Sequence, residues 1–356
     1  MSHQLQNVRV ERDDTAWEAV VDADIPADVL ATHRDAALKE MQREASLDGF
    51  RPGKAPLERI IQIYGEQAVL RHAAQHAIEH ELPELLAAEK QLIVEAPRVE
   101  TATPESGKAL HFTARAALSP EIKLGDYKKL AKKVNGKKEE AVVSDTEHAE
   151  ALTHLKRERA RIDKLESGVE PQKAAEEARA LAEADLPALD DLFVQSLGYE
   201  SVEKFSEAVR INIKNEKELQ AQEKRRAEIL DELVHASTVR YPRSLLSYEL
   251  DEMEGQMRDD ISRMSTTFEN YLAQMKKTRE EVRKEWEPAA DKRAKVRLIL
   301  GQIAREEKIE PRPEELAHEL EHAKKHYPQV SEENLRAHLS HAMRNGATVQ
   351  FLESIQ

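Results

Sequence analysis

The chain has 356 residues, of which 34% are charged and 40% hydrophobic, so it can form a core but must expose a large charged surface. Its formal net charge of −14 excludes a basic field over the whole molecule of the kind that attracts nucleic acids, although a local basic patch stays open. The absence of cysteine excludes disulfides and thiolate sites, and the low numbers of glycine (11), Trp (2), Tyr (7) and Phe (6) favour helices over sheets.

The first 120 residues predict a small α+β domain. Hydrophobic residues alternate on either side of the turn signal at Asp13-Asp14, and a helical pattern begins after Pro26 and stops at Asp48-Gly49. The remaining predicted elements are a helix from Leu57 to about Lys90 with a break near Gly65, a short strand at 92–94 and a strand at 109–118.

The rest of the chain predicts helices almost throughout. Residues 121–143 are basic and are predicted to be extended. Ser144 and Glu147 have the spacing of a capping box, which predicts the start of a charged helix that ends near Leu165. A helix rich in alanine and glutamate is predicted up to Ala184, and nearly everything after Leu189 is helical. No hydrophobic leader or apolar run of about 18 residues is visible, which predicts a cytoplasmic protein that does not enter a membrane.

The most informative stretch is the loop 49–56, which reads Gly-Phe-Arg-Pro-Gly-Lys-Ala-Pro. Two glycines, which allow conformations closed to other residues, and two prolines, which fix φ, together predict an unusual backbone path, and Phe50 lies beside the cations Arg51 and Lys54. An aromatic ring between cations could dock on a base, a phosphate or an apolar pocket. The alternative is a helix connection in which Phe50 belongs to the core and the cations are solvated.

This loop resembles the ribosome-docking signature Gly-Phe-Arg-x-Gly-Lys-x-Pro of trigger factors, the bacterial chaperones at the exit of the nascent chain, and every fixed position is matched. Weaker similarities extend the resemblance over nearly the whole chain. They lie at 64–65, 119–127, 185–198, 239–242 and 344–352.

The resemblance implies a function and its partners. The large ribosomal subunit, protein and rRNA, would bind the loop beside the exit tunnel, and nascent and unfolded polypeptides would bind a helical cradle without ATP. The free protein could form a weak homodimer, and neither a cofactor nor a metal is expected. The residues implied in ribosome binding are Arg43, Gly49, Phe50, Arg51, Pro52, Gly53, Lys54 and Pro56.

One departure from the family pattern is large. The family usually carries a prolyl-isomerase domain of the FK506-binding type in the middle of the chain, but about 25 residues separate Lys164 from Asp190 here. A domain needs at least about 50 residues. The sequence therefore predicts that this domain is absent and that the protein is not an enzyme.

A surface for unfolded clients is predicted from methionines, whose flexible side chains adapt to irregular partners. Apolar residues recur every three or four positions from Leu250 to Met275, which predicts one continuous stripe on a long helix. The alternative is an internal seam between two helices. The predicted client-binding residues are Met253, Met257, Ile261, Met264, Phe268 and Met275. A second apolar cluster at 296–303 predicts core.

Two histidine patterns are weaker candidates. His318-Glu319-x-x-His322 matches the zinc-peptidase motif, and His326 extends the same face, but a catalytic zinc helix needs a third ligand and an apolar wall, and charged residues surround this one. His72, His76 and His80 share one helix face, which is more typical of polar or partly buried histidines than of a metal site.

The sequence thus predicts a mostly α, elongated protein with a small α+β N-terminal domain and a C-terminal helical domain with protruding arms. The predicted division is a ribosome-binding domain at 1–122, a linker or helical spacer at 123–188 and a chaperone domain at 189–356. The alternative function is a helical scaffold with fixed partners that does not visit ribosomes.

Overall fold

The computed structural model describes residues 3–47, 50–51, 53–137, 141–264 and 266–356. It is 66% helical, with 13 α-helices and a small N-terminal sheet in the described part, which confirms the predicted fold class. Within these described ranges, no helix is both long enough and apolar enough to cross a membrane.

The elements follow one another in chain order, with most strands near the N-terminus. The strands are β1 (Gln6–Asp13), β2 (Glu18–Ile25), β3 (Arg98–Thr101), β4 (Leu110–Ala117), β5 (Glu121–Lys123) and β6 (Thr238–Arg240). The helices are α1 (Ala27–Glu44), α2 (Leu57–Tyr64), α3 (Glu66–Ala88), α4 (Tyr127–Asn135), α5 (Asp145–Glu166), α6 (Pro171–Ala180), α7 (Asp191–Ser196), α8 (Val202–Ala236), α9 (Arg243–Arg263), α10 (Phe268–Met275), α11 (Arg279–Glu307), α12 (Pro313–His326) and α13 (Glu332–Ser354).

Four antiparallel strands form a sheet in the order β1-β2-β4-β3. The pairing of β2 with β4 places Val21 opposite Ala114, and alternate residues of both strands point into the core. Val21, Ile25 and Phe112 are fully buried in a cluster that also includes apolar residues of α1 and α3. The predicted α+β domain is thus built on one sheet face covered by helices.

Several short elements differ from the sequence prediction. The strand predicted at 92–94 is reduced to one bridge between Ile93 and Leu118. Two strands were missed: β3, whose four residues are all exposed at a sheet edge, and β6, which pairs with β5. The partner of β6 lies more than a hundred residues away in sequence, so no local pattern marks it.

The extended conformation predicted for 121–143 is wrong over α4. The side chain of Asp126 caps this helix by accepting a hydrogen bond from the Lys129 backbone N–H at 3.0 Å. Ala131 and Val134 are buried on one face while lysines cover the other. The side-chain amide of Asn135 then donates to the carbonyls of Leu352 and Ile355, which ties the end of α4 to the C-terminal residues.

The long helix predicted through the methionine stripe is also interrupted. Helix α9 ends at Arg263, and Thr267 caps the separate helix α10 by accepting from the Asn270 N–H at 3.2 Å. By contrast, the capping box of Ser144 and Glu147 is present at the start of α5 as predicted. The core predicted at 296–303 is confirmed for Ile299, Leu300 and Ile303, all of which are buried.

Two compact units emerge from the packing, and each contains segments distant in sequence. The first comprises Met1–Gly125 and Ala236–Ile309, and includes both sheets and helices α9 to α11. The second comprises Asp126–His235 and Glu310–Gln356 and contains α4 to α7, most of α8, and α12 and α13. The division at residues 122 and 188 that the sequence predicts stays a prediction.

Candidate functional site

The loop between α1 and α2 is anchored at both ends. Ala45 and Ala55 are buried in a small apolar cluster with Ile60 of α2. The side-chain amide of Gln42 donates a hydrogen bond to the Ala55 carbonyl at 2.6 Å. These contacts fix where the chain leaves and re-enters the domain, and so the segment between them projects from a defined base.

The tip of this loop presents the predicted aromatic and cationic side chains to solvent. Phe50 is 42% exposed, and Arg51 and Lys54 are exposed. The Phe50 N–H donates to the Leu47 carbonyl at 3.1 Å, and the Lys54 N–H donates to the Arg51 carbonyl at 3.0 Å. The exposure of Phe50 argues against the alternative in which this ring belongs to the core.

The remaining residues of the predicted docking set have mixed positions. Gly53 has φ +73°, a conformation that side chains disfavour, and its Cα faces the Arg43 backbone closely enough that a Cβ would lie 3.4 Å from the Arg43 oxygen. Pro56 occupies the N-cap position of α2 without a side-chain hydrogen bond, and Arg43 is exposed near the end of α1. Gly49 and Pro52 lie outside the described residues.

The loop cations have no carboxylate partner among the described residues. Within the part of the chain that the structure describes, Arg43, Arg51 and Lys54 form no ion pair. Their charge is therefore available to an anionic partner, and the loop is a local positive site on a chain whose net charge is −14.

Helices α9 and α11 are held together by buried charge. Glu254 of α9 is 4% exposed and accepts from Arg279 at 2.9 Å and from Arg283 at 2.8 Å, both on α11. Arg258, one turn along α9, donates to the other carboxylate oxygen at 3.0 Å. A carboxylate removed from water is costly unless it is paired in this way.

A second buried carboxylate repeats the arrangement. Glu249 is 2% exposed, with Arg293 at 3.4 Å and Arg297 at 3.0 Å across the same seam. The apolar pattern that predicts the stripe gives no sign that Glu249 and Glu254 are buried. The sequence signal for this arrangement is that arginines occur four residues apart on α11, which places two guanidinium groups on one face of the helix.

The predicted client-binding residues divide into two groups. Ile261 and Phe268 are 3% and 4% exposed, so they pack within the protein, and Met253 and Met257 are half-buried. Met264 and Met275 are 77% and 50% exposed. The stripe is thus partly an internal seam, as the alternative required, and partly a free apolar surface.

Helix α10 is fixed to α9 between the two exposed methionines. Arg258 contacts Glu269 at 3.2 Å, and its guanidinium carbon lies 4.4 Å from the centroid of the Phe268 ring. Met264 occupies the C-cap position just after α9, and Met275 is the last residue of α10, so the two exposed side chains lie near the two ends of α10.

The zinc-peptidase motif lies on α12 in an open setting. The side chain of His318 is 80% exposed, and the rings of His322 and His326 lie 4.7 Å apart. In the described ranges, these residues join no group of three ligand side chains close enough to hold a metal. The geometry gives this motif no support as a catalytic zinc site.

Comparison with known families decides the relationship. The family model described as bacterial trigger factor protein matches residues 6–155, and the model for the C-terminus of bacterial trigger factor protein matches residues 201–351. The chain belongs to the trigger factor family.

Family relatives match most of the chain at low identity. A trigger factor of Caldicellulosiruptor saccharolyticus is 24% identical and aligns with 91% of this chain and 89% of its own length. A trigger factor of Thermus thermophilus is 26% identical, with 93% and 89% covered. The first alignment spans 394 positions, more than this chain has residues, so the relative contains stretches without a counterpart here.

A solved structure shows the same fold. It is described as "Promiscuous Substrate Recognition in Folding and Assembly Activities of the Trigger Factor Chaperone" and superposes with a TM-score of 0.51 at 16% identity. The match covers 99% of this chain and 100% of the other. At this identity the similarity speaks for the fold alone.

The isomerase domain usual in trigger factors is absent from this chain. Neither family model covers residues 156–200. The structure describes this whole segment as the end of α5, helices α6 and α7, a 3₁₀ turn at Glu183–Asp185 and connecting residues, and no strand occurs there. Ala174 and Ala178 of α6 are buried, and Lys164 of α5 contacts Glu177 at 2.7 Å, so the segment is a small packed helical pair.

The buried glutamate predicts that the packing of α9 against α11 is sensitive to acid. Burial opposes the charged form of Glu254, but hydrogen bonds from its three arginines outweigh burial and lower its pKa from 4.5 to about 2. Since the folded pKa is the lower one, this stabilisation is present above about pH 4.5 and is lost as the pH falls towards 2. We expect spin labels on introduced cysteines in α9 and α11 to report separation over that range.

The matched variants are Glu254→Gln and Glu280→Gln, the latter at an exposed glutamate in the first turn of α11. Glu254→Gln should destabilise the packing of α9 against α11 at pH 7 by about 1–3 kcal/mol and remove most of the dependence of this packing on acid. Glu280→Gln should behave as the parent. An unchanged acid transition in Glu254→Gln would show that this carboxylate does not hold the seam.

Proposed function

We propose that this chain is a ribosome-associated chaperone that works without ATP and shelters polypeptides as they leave the exit tunnel. The observation that carries the proposal is the exposed tip of the loop 45–56, which combines a ring and two cations without an ion pair to any described residue on an anchored base. The same residues match the docking signature of the family to which the chain belongs.

A small positive tip suits binding to a ribosome because the surface of that particle is rich in phosphate. Arg51 and Lys54 would contact phosphates or acidic side chains, while Phe50 would enter an apolar recess or stack on a base. The large acidic remainder of the chain would be repelled from rRNA. Docking would therefore be confined to the loop, with residues 1–122 as the docking domain.

Client binding is assigned to the apolar surface around Met264 and Met275. Unbranched thioether side chains adapt to many sequences, and binding through a modest apolar area should be weak and fast. Ile261 and Phe268 would contribute by fixing α10 against α9 rather than by touching clients. Residues 189–356 form the chaperone domain of this proposal, and residues 123–188 act as its spacer.

The proposal assigns no catalysis to the chain and places it in the cytoplasm, where ribosomes are. We expect purified protein to leave the rate of cis–trans exchange in a prolyl test peptide unchanged, because its middle segment is helical. A prolyl isomerase that retains the FK506-binding-type domain serves as the positive control. That part of the proposal is overturned if the purified chain accelerates the exchange and the acceleration persists through every step that removes contaminating isomerases.

The alternative is a helical scaffold that binds fixed partners and never visits ribosomes. It shares the exposed methionines but gives the loop tip no role. Ribosome binding therefore separates the two functions.

The ribosome test compares two triple variants with equal changes in charge and in aromatic content. The first replaces Phe50, Arg51 and Lys54 with alanine. The second replaces Tyr327, Lys325 and Lys224, which are also an exposed aromatic and two exposed cations without ion pairs to described residues. We expect the first to weaken co-sedimentation with 70S ribosomes at least about tenfold, as loss of an interface centre does, and the second to bind as the parent.

Two results would contradict ribosome docking by the loop. The parent chain could fail to pellet with ribosomes, which would favour the scaffold. Alternatively, both triple variants could lose binding equally, which would show that total charge and not the loop decides association.

The client test uses Met264→Asp and Leu192→Asp. Both side chains are largely exposed, at 77% and 81%, so neither change should unfold the protein. Loss of one partly buried apolar contact costs about 1 kcal/mol, so Met264→Asp should weaken suppression of the aggregation of an unfolded client roughly fivefold. Equal suppression by the two variants would remove Met264 from the client surface.

A further inference from the structure

Four side chains with metal-binding atoms meet between α1 and α3, away from the docking loop and from the methionines. His76 and His80 lie one turn apart on α3, and the fold brings His33 of α1 against them. Glu81 follows His80 and contributes the carboxylate. The sequence showed the two histidines on α3 but not His33, which is more than forty residues away.

Three of the four side chains already form one group, and His76 adjoins this group through His33. The Nδ1 atoms of His33 and His76 lie 3.1 Å apart, and His80 Nδ1 lies 3.3 Å from Glu81 Oε1. Ligand atoms of His33, His80 and Glu81 all fall within 4.8 Å of one another. Around a tetrahedral zinc ion with bonds of about 2.0–2.1 Å, neighbouring ligand atoms are about 3.3 Å apart, so small ring movements would close the set.

The carboxylate supplies an independent reason for a cation here. Glu81 is 2% exposed, and a buried carboxylate is unfavourable without a positive partner. Within the described ranges, its one ion-pair partner is the His80 ring, which is charged only when protonated, and no lysine or arginine reaches it. A divalent cation would balance the charge while the imidazoles stay neutral.

The carboxylate is also oriented. The backbone N–H of Gln4 donates to Glu81 Oε2 at 2.5 Å, which leaves Oε1 on the side of His80. Outer hydrogen bonds of this kind hold metal ligands in place. Imidazoles with one carboxylate are ligands typical of zinc and neighbouring transition metals rather than of magnesium or calcium.

We propose that His33, His76, His80 and Glu81 form a binding site for one divalent transition-metal ion, Zn²⁺ or a similar cation, which joins α1 to α3. The ion would brace the helix that leads into the loop 45–56 and would stabilise the first compact unit. Metal binding at this site requires neither ribosomes nor clients, so its test is independent of the test of the proposed function.

The experiment titrates Co²⁺ into chelator-treated full-length protein, because four-coordinate Co²⁺ with nitrogen and oxygen ligands gives strong visible absorption. We expect one tight equivalent with that absorption, and a rise in the thermal unfolding temperature on adding Zn²⁺. His33→Gln and Glu81→Gln should each lower the affinity by at least about tenfold. Glu81→Gln keeps an acceptor for the Gln4 N–H, and circular dichroism of the metal-free variants checks that they fold.

The matched control is the double variant His318→Gln and His322→Gln, which removes an exposed histidine pair with the same spacing from α12. It should bind Co²⁺ as the parent does. The proposal is overturned if no stoichiometric four-coordinate Co²⁺ forms, if His33→Gln and Glu81→Gln bind as tightly as the parent, or if the α12 variant loses the absorption instead.

Discussion

The packing of α9 against α11 depends on carboxylates buried against arginines. Glu249 and Glu254 lie on the seam between α9 and α11, and their charge is balanced across it by Arg297 and Arg283 among others. Met264 and Met275 are left at the surface, which is the condition for an adaptable client surface.

The loop 45–56 likewise has anchored and exposed parts. Ala45 and Ala55 are held in an apolar cluster, and Phe50 between them is 42% exposed. An exposed ring and exposed cations that pair with no described carboxylate contribute little to folding, so their presence on an anchored loop is explained better by a partner than by stability. The acidity of the chain as a whole does not conflict with this, because charge acts over about a Debye length.

Patterns over a few residues predicted much of the fold. Alternation predicted β2 and β4, and the capping box at Ser144 predicted the start of α5, because each depends on neighbours within one element. The pairing of β5 with β6 was not predicted, because the two strands are distant in sequence. The lysines of α4 obscured an apolar face of only two buried residues, Ala131 and Val134.

The candidate functional residues likewise divide into those that a local pattern marks and those that only the fold brings together. The loop tip was found because its residue types and spacing are themselves unusual. The break between α9 and α10 was missed because apolar spacing continues across it, while the cap at Thr267 restarts the helix. The buried state of Glu254 and the cluster around His33 could not be predicted, because both are created by contacts between helices.

The most direct measurement places a photo-reactive phenylalanine analogue at position 50 or at position 264 and adds the chain to ribosomes stalled with a nascent polypeptide. We expect position 50 to crosslink to a component of the large subunit and position 264 to the nascent chain. Crosslinks from position 50 to no ribosomal component, with the chain present in excess, would contradict the account.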